Sequence, residues 1–351
     1  MKALPMNPAG KPLIIPVFIP HSGCPHQCAF CNQTILTRQN PRLPDKSTIH
    51  HIVTEYYPYK GKREQVELAF FGGNFLGLDP ENIIQLLDLI QPYIQGGKID
   101  GIRFSTRPDT ITQQTLDLIR PFNISTVELG VQSMNDDVLI QSKRGHTGRD
   151  TINAISLLKK YPFKIGIQVM VGLPGDTESL LLESTKKLAQ LAPDFARIYP
   201  LMILKDSLME HWYKKGRYHP LSLEKSIRLV KKMYHIFTAA HVKVIRMGLQ
   251  ASDIMEDKSM LLAGPWHPAF GHLVFSEILY DTACNKIEQC RDLIKVKDIA
   301  LRVHPKTESR LRGDKNTNLK KFNQRYPKLN FSICLDKTMS INQLEIDYVL
   351  I

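Results

Sequence analysis

"LIIPVFIPHSGCPHQCAFCNQ", residues 13–33, sets a run of apolar and β-branched residues directly before a loop that carries Cys24, Cys28 and Cys31. The run reads as a buried strand, and the proline and glycine that follow end it and open a loop. Three thiols crowded on one loop fit three descriptions: half of a disulfide framework, an incomplete zinc site, or the holder of a group that takes only three protein ligands. The chain has six cysteines in 351 residues, and Cys284, Cys290 and Cys334 lie far from the loop without metal-like spacing. A secreted disulfide framework is therefore not expected, and the distal three read as small buried side chains. A closed zinc site takes four N or S ligands, whereas this loop offers three thiols and a nearby His26.

Outward from the loop, short β-branched or aromatic runs recur: "VELAFF" (66–71), "GIRFS" (101–105), "TVELGV" (126–131), "KIGIQVMV" (164–171) and "FARIYPL" (195–201). Between them stand segments of helical periodicity, at 80–94, 111–119, 151–161 and 177–191. Such alternation predicts a parallel sheet with crossover helices. Motif-like residues lie just beyond the C-terminal end of nearly every strand, which favours a closed or partly closed β/α barrel over a doubly wound sheet. After about residue 240 the rhythm changes: a strand and loop over 241–252, a helix over 270–287, then a small α+β unit with strands near "KDIALRV" and "LNFSICL". The division expected is 1–240 for the barrel and 241–351 for a smaller C-terminal α+β domain.

An apolar fraction of 43% is ordinary for a soluble globular chain, and the net charge of +12 attracts polyanions such as nucleic acid. No run approaches the roughly 18 apolar residues of a membrane span, and the N-terminal segment is too broken by prolines for a signal peptide. A cytoplasmic protein without a membrane partner is expected.

The candidate site residues stand at strand ends. In "FFGGNFLG" (70–77), Gly72 and Gly73 let the backbone approach a ligand, with Asn74 beside them. Strand alternation sets Glu128, Gly130 and Gln132 on one face, the barrel interior. An unpartnered carboxylate there is costly, so Glu128 is expected to meet a ligand, a cation or a polar centre. Gln168 points inward near the end of its strand; Ser105, Thr106, Arg197 and Tyr199 hold equivalent places; Arg144 lies on the connection after "VELGVQ". The stretch 301–328 gathers Arg302, Lys306, Arg310, Arg312, Lys315, Lys320, Lys321, Arg325 and Lys328, as an RNA-contacting or simply solvated basic face. "GPWHPAFGH" (264–272) offers Trp266, His267 and His272 as a lining for the entrance.

The spacing CxxxCxxC, with Phe30 just before the last cysteine and the loop directly after a first barrel strand, resembles the radical S-adenosylmethionine (radical SAM) superfamily. The resemblance implies a partial (β/α)6 TIM-like radical SAM barrel. It also implies a [4Fe-4S] cluster on Cys24, Cys28 and Cys31 whose open iron chelates S-adenosylmethionine, reductively cleaved to a 5′-deoxyadenosyl radical. Gly72, Gly73 and Asn74 are similar to that superfamily's glycine-rich second-strand motif, whose third position is more often Glu or Thr. "STRPDTI", "VELGVQS", "KRGHT" and "RIYPL" resemble the radical domain of the Elongator catalytic subunit family, which modifies transfer RNA wobble uridines. The pattern is also similar to oxygen-independent coproporphyrinogen III oxidase, and by that likeness Gln132, Arg144 and Gln168 contact S-adenosylmethionine. Phe30 and Ser105 join this cofactor-binding set, and Glu128 is the catalytic candidate. The implied partners are S-adenosylmethionine, tRNA and an electron donor such as flavodoxin or ferredoxin. The Elongator subunit spaces its first two cysteines more widely, and 351 residues leave no room for its acetyltransferase domain, so acetyl-CoA chemistry is not expected. A small-metabolite radical enzyme and a non-catalytic metal-binding protein are the rival readings.

Overall fold

The computed structural model describes residues 12–19, 24, 27–32, 42–249, 260–290, 296–341 and 343–350. His26 and the end of the 241–252 stretch lie outside the described residues. The strands are β1 (Leu13–Ile19), β2 (Val66–Gly72), β3 (Gly101–Thr106), β4 (Ile124–Gln132), β5 (Lys164–Val171), β6 (Phe195–Pro200), β7 (Ile203–Leu204), β8 (Lys243–Met247), β9 (Leu261–Ala263), β10 (Val296–Val303), β11 (Asn330–Leu335) and β12 (Leu344–Leu350).

Six strands in sequence order, β1 to β6, and then β8 form one seven-stranded sheet in which every neighbouring pair is parallel. Parallel neighbours require crossovers, which the helices supply, and all strand C-termini consequently open on the same edge. The sheet curls into a partial TIM-like barrel. Its strands bury both faces: eight of the nine β4 residues are buried, and Ile15, Val17, Leu68, Phe70, Phe104, Val127 and Ile167 are in the hydrophobic core at 0% exposure. Such continuous apolar runs are the composition a doubly covered parallel sheet demands.

The crossover helices start where the sequence supplies caps. Thr112, Thr147 and Thr177 each accept a hydrogen bond from the main-chain N–H three residues on, at the starts of Gln113–Ile119, Gly148–Leu158 and Glu178–Gln190. The single helix expected over 80–94 is instead two, Pro80–Asp88 and Gln91–Gln95, with Pro92 in the first turn of the second.

β8 pairs with β6, so the strand that the sequence division assigned to the second unit is the last strand of the main sheet. The second sheet begins at β10, which pairs in parallel with β11 and antiparallel with β12, a strand the sequence reading missed. Phe270–Glu288 joins the two units, because its Phe270 and Val274 pack into the barrel core while Leu279, Ala283, Cys284 and Ile287 pack under the second sheet.

Candidate radical SAM site

Three hydrogen bonds clasp the cysteine loop against the C-terminal edge of the barrel. Ala29 N–H donates to Ser142 O at 2.9 Å, Met209 N–H donates to Ala29 O at 3.0 Å, and Asn32 Nδ2 donates to Lys205 O at 2.8 Å. Ala29 and Phe30 also pack in an apolar cluster with Leu173, Leu201, Met209 and Trp212. Cys24, Cys28 and Cys31 thereby line one cavity of about 240 Å3 together with Phe30, Gly72, Gly73, Ser105, Gln132, Arg144 and Gln168. None of the three is in a disulfide. Among the described residues, no three His, Cys, Asp or Glu side chains gather closely enough to hold a single metal ion. A larger groove of about 560 Å3 runs along the outer helices past Ile84, Leu89 and Tyr93, and includes none of these groups.

Gly72 is a fixed requirement of this geometry. Its φ is +101°, and a Cβ there would lie 2.4 Å from Ile19 O, the last residue of the strand that leads into the cysteine loop. Gly130 makes room in the same way, since a Cβ would lie 2.7 Å from the Arg144 guanidinium. A β-bulge between Gly130 and Gln132 re-aims the end of β4 and leaves Gln132 at φ +67°, a left-handed conformation that a glutamine adopts only at a cost. Gln132 Oε1 and Arg144 Nε are both buried without a hydrogen-bond partner. A buried polar atom without a partner calls for an explanation, and a bound polar group beside it supplies one.

Arg144 is anchored at three points. Its NH1 donates to Cys28 Sγ at 3.3 Å and its NH2 to Gly130 O at 2.6 Å, while its own carbonyl accepts from Arg107 NH1 at 2.6 Å. Burial raises the Cys24 thiol pKa, with Arg144 pulling the other way. His146, two residues on, is driven down to about 3 by burial and then by Arg144 and Arg107, so it is neutral and holds Val131 O through Nε2 at 3.2 Å.

Glu128, Asn74 and Arg197 stand outside the cavity lining. Glu128 is fully buried in the barrel interior, where it lies 2.8 Å from Arg103 NH1 and 2.8 Å from Arg197 Nε. It also accepts from Gln168 Nε2 at 3.1 Å. The expected cation is therefore present twice, and the carboxylate is consumed in holding other groups. Arg103 continues the network to Glu67 at 2.5 Å, so two acids face two arginines away from water. Gln168 Nε2 also donates to Ser105 Oγ at 3.2 Å. With its amide nitrogen tied down twice, Gln168 presents its other face to the cavity. Asn74 is likewise fully buried; its Oδ1 accepts from Thr106 Oγ1 at 2.7 Å, Arg107 N–H at 2.9 Å and Thr110 Oγ1 at 3.1 Å, fixing the loop after β3.

Thr106 and Tyr199 line the cavity, and Tyr199 has its pKa raised by burial. Trp266 packs behind the wall formed by Met202 and Leu204, and neither it nor His267 nor His272 reaches the lining. Much of the basic stretch is neutralised: Arg302 meets Asp347 at 2.7 Å, Arg312 meets Glu308 at 2.9 Å, Arg325 meets Glu288 at 2.6 Å and Lys321 meets Glu277. Sequence reasoning gave no role to Glu67, Arg103, Arg107 or Asp109. The available signal was an arginine in the middle of an otherwise apolar strand, "GIRFS", which has to find a buried acid.

Residues 18–188 match the model of the Radical SAM superfamily, and 193–279 that of the Radical SAM C-terminal domain. The chain is 27% identical over 230 residues to the tRNA uridine(34) acetyltransferase of Dehalococcoides mccartyi, across 56% of this chain and 50% of that protein. An uncharacterized protein of Methanocaldococcus jannaschii is 30% identical over 220 residues, across 59% of this chain and 67% of the relative. The chain thus spans about half the length of the acetyltransferase relative. In fold it is similar to the archaeal Methanocaldococcus infernus Elp3, with a TM-score of 0.59 and 20% identity over 82% of this chain and 66% of that one. No helix among the described residues is long and apolar enough to cross a membrane. A cysteine loop after the first strand, a glycine turn after the second and polar groups at the ends of β4 and β5 have one common explanation: the chain belongs to the Radical SAM superfamily.

Proposed function

We propose that this enzyme binds a [4Fe-4S] cluster through Cys24, Cys28 and Cys31 and S-adenosylmethionine beside it, and uses them to modify RNA, with a tRNA base as substrate. The observation that carries the reading is the shared cavity: three cysteines outside any disulfide line it together with Gln132 and Arg144, each of which keeps a buried polar atom without a hydrogen-bond partner. When bound, such a cluster supplies the electron that cleaves the sulfonium C–S bond of S-adenosylmethionine to a 5′-deoxyadenosyl radical.

The chain's own residues bind, orient and exclude water. Gly72 and Gly73 bring main-chain carbonyls within reach of the ammonium group. Arg144 offers a buried cation to the carboxylate. Gln168, steadied by Glu128 and Ser105, takes a ribose hydroxyl, and Phe30 with the Met202 and Leu204 wall keeps the pocket dry. Glu128 acts through Gln168, Arg103 and Arg197 rather than on the reacting atoms. The RNA substrate is supported by the net charge of +12 and by the tRNA-modifying activity that the acetyltransferase relative's name records. A cytoplasmic location and a flavodoxin- or ferredoxin-like electron donor belong to the same reading.

Anaerobic reconstitution tests the chemistry, with four irons per chain and reductant-dependent formation of 5′-deoxyadenosine as the expected outcome. Substitution of any of the three cysteines with alanine abolishes both. The substrate is tested by tRNA binding across a salt series and by comparing modified nucleosides in RNA from cells with and without the gene. Binding that weakens steeply with salt together with a missing nucleoside supports the reading. No salt-dependent affinity and an unchanged nucleoside profile replace RNA with a small metabolite.

A further inference from the structure

Arg107 is the largest side chain buried to 2% or less among the described residues, and although it borders the cavity, the S-adenosylmethionine reading gives it no role. A guanidinium cannot shed its proton, so its burial has to be compensated completely. The compensation is specific. Nε donates to Asp109 Oδ1 at 2.9 Å and NH2 to Asp109 Oδ2 at 2.8 Å, a two-pronged fork, and NH1 is left to donate to the carbonyl of Arg144 at 2.6 Å. The fork is itself immobilised, because Asn74 Oδ1 accepts from the Arg107 main-chain N–H at 2.9 Å and from Thr106 and Thr110 of the same loop. Two connections that are remote in sequence, one after β3 and one after β4, are thereby tied at the residue whose side chain reaches Cys28 and the cavity.

We propose that Arg107, with Asp109, is a positioning residue for amino-acid recognition: it locks the main chain of Arg144 so that the guanidinium meets the carboxylate of S-adenosylmethionine without reorganising. The inference rests on the proposed binding mode and deepens it. It also gives Asn74 a task, in a motif whose third position is more often a residue of another type: the side chain holds the fork's loop and leaves ammonium binding to the glycine carbonyls. Lysine at 107 keeps the charge but cannot form the fork, and asparagine at 109 removes half of it while leaving the buried cation in place.

The test uses reconstituted protein and equilibrium dialysis with three probes: S-adenosylmethionine, methionine, and 5′-deoxyadenosine, which lacks the carboxylate. Arg107→Lys and Asp109→Asn are expected to weaken S-adenosylmethionine and methionine about tenfold and leave 5′-deoxyadenosine within twofold, with iron content and melting temperature recorded for each variant. In an Arg144→Ala background, neither change is expected to weaken S-adenosylmethionine further. Equal loss for all three probes, an undiminished loss in the Arg144→Ala background, or unchanged affinity in a folded Asp109→Asn protein each overturns the inference. If the unsubstituted reconstituted protein itself fails to bind S-adenosylmethionine, the binding mode has failed instead. Should Arg107→Lys not fold, Asp109→Asn, at a half-buried position, carries the same comparison.

Discussion

Two regions of this molecule use the same chemistry, arginine against carboxylate, to opposite ends. In the barrel, Arg103 and Glu128 pair with side chains 8% and 0% exposed, whereas in the C-terminal unit Arg302 and Asp347 pair at 33% and 47%. Water screens the second pair and lets each partner find other company. The first pair has no alternative, so every group in it has a fixed place and hands that order on to Gln168 and Ser105 at the cavity. Buried ion pairs are poor sources of net stability but strong determinants of geometry. The functional chemistry of the chain accordingly collects where charge is dry, although its basic residues are most conspicuous where charge is wet.

The comparison breaks or sharpens under substitution. The largest effect is expected from Glu128→Ala, which strands Arg103 and Arg197 in the interior. It should cost about 3–5 kcal/mol in urea unfolding, and a loss below 1 kcal/mol would mean that water reaches the network. Gly72→Ala comes next, since its Cβ has to share space with Ile19 O at positive φ. A cost of about 2 kcal/mol or more is expected, together with weakened S-adenosylmethionine binding, and a neutral result would show that the turn can rebuild itself.

Acidification separates the two regions further. The His146 pKa falls from 6.5 to about 3 on folding, chiefly through burial. Between those values the unfolded chain binds the proton more readily, so this contribution is fully present above pH 6.5 and drains away as the pH falls toward 3. His146→Gln should flatten the pH dependence of the unfolding free energy over that window by on the order of a few kcal/mol, and identical slopes in the two proteins would show that His146 is hydrated. The smallest effect belongs to the tail, where Arg302→Ala should change stability by less than about 1 kcal/mol. A larger loss would mean that the second sheet relies on its β10 to β12 charge pairs.

Much of this is legible in the sequence. β1 and β5 have the bounds that their apolar runs indicate, and β2, β3, β4 and β6 differ only by a residue or two at an end, because a strand buried on both faces announces itself by composition. The cysteine loop, Gly72, Gly73, Gln132, Arg144 and Gln168 were legible as a pattern of spacings following strands, and they line one cavity. β12 is passed over although its "LEIDYVL" alternates with the period of two that a strand with one exposed face shows; it is an edge strand far in sequence from the barrel repeats.

Sequence by itself determined the parallel barrel and the family, since hydrophobic periodicity and cysteine spacing are local properties of the chain. Only the tertiary structure decided what the charged residues do. Glu128 became an anchor, Asn74 a loop clamp and Arg107 a support for Arg144, while most of the tail's conspicuous arginines spend themselves on neighbouring acids. A charge acquires its meaning from its partner and from the water around it, and both come from segments tens of residues away that only folding brings together.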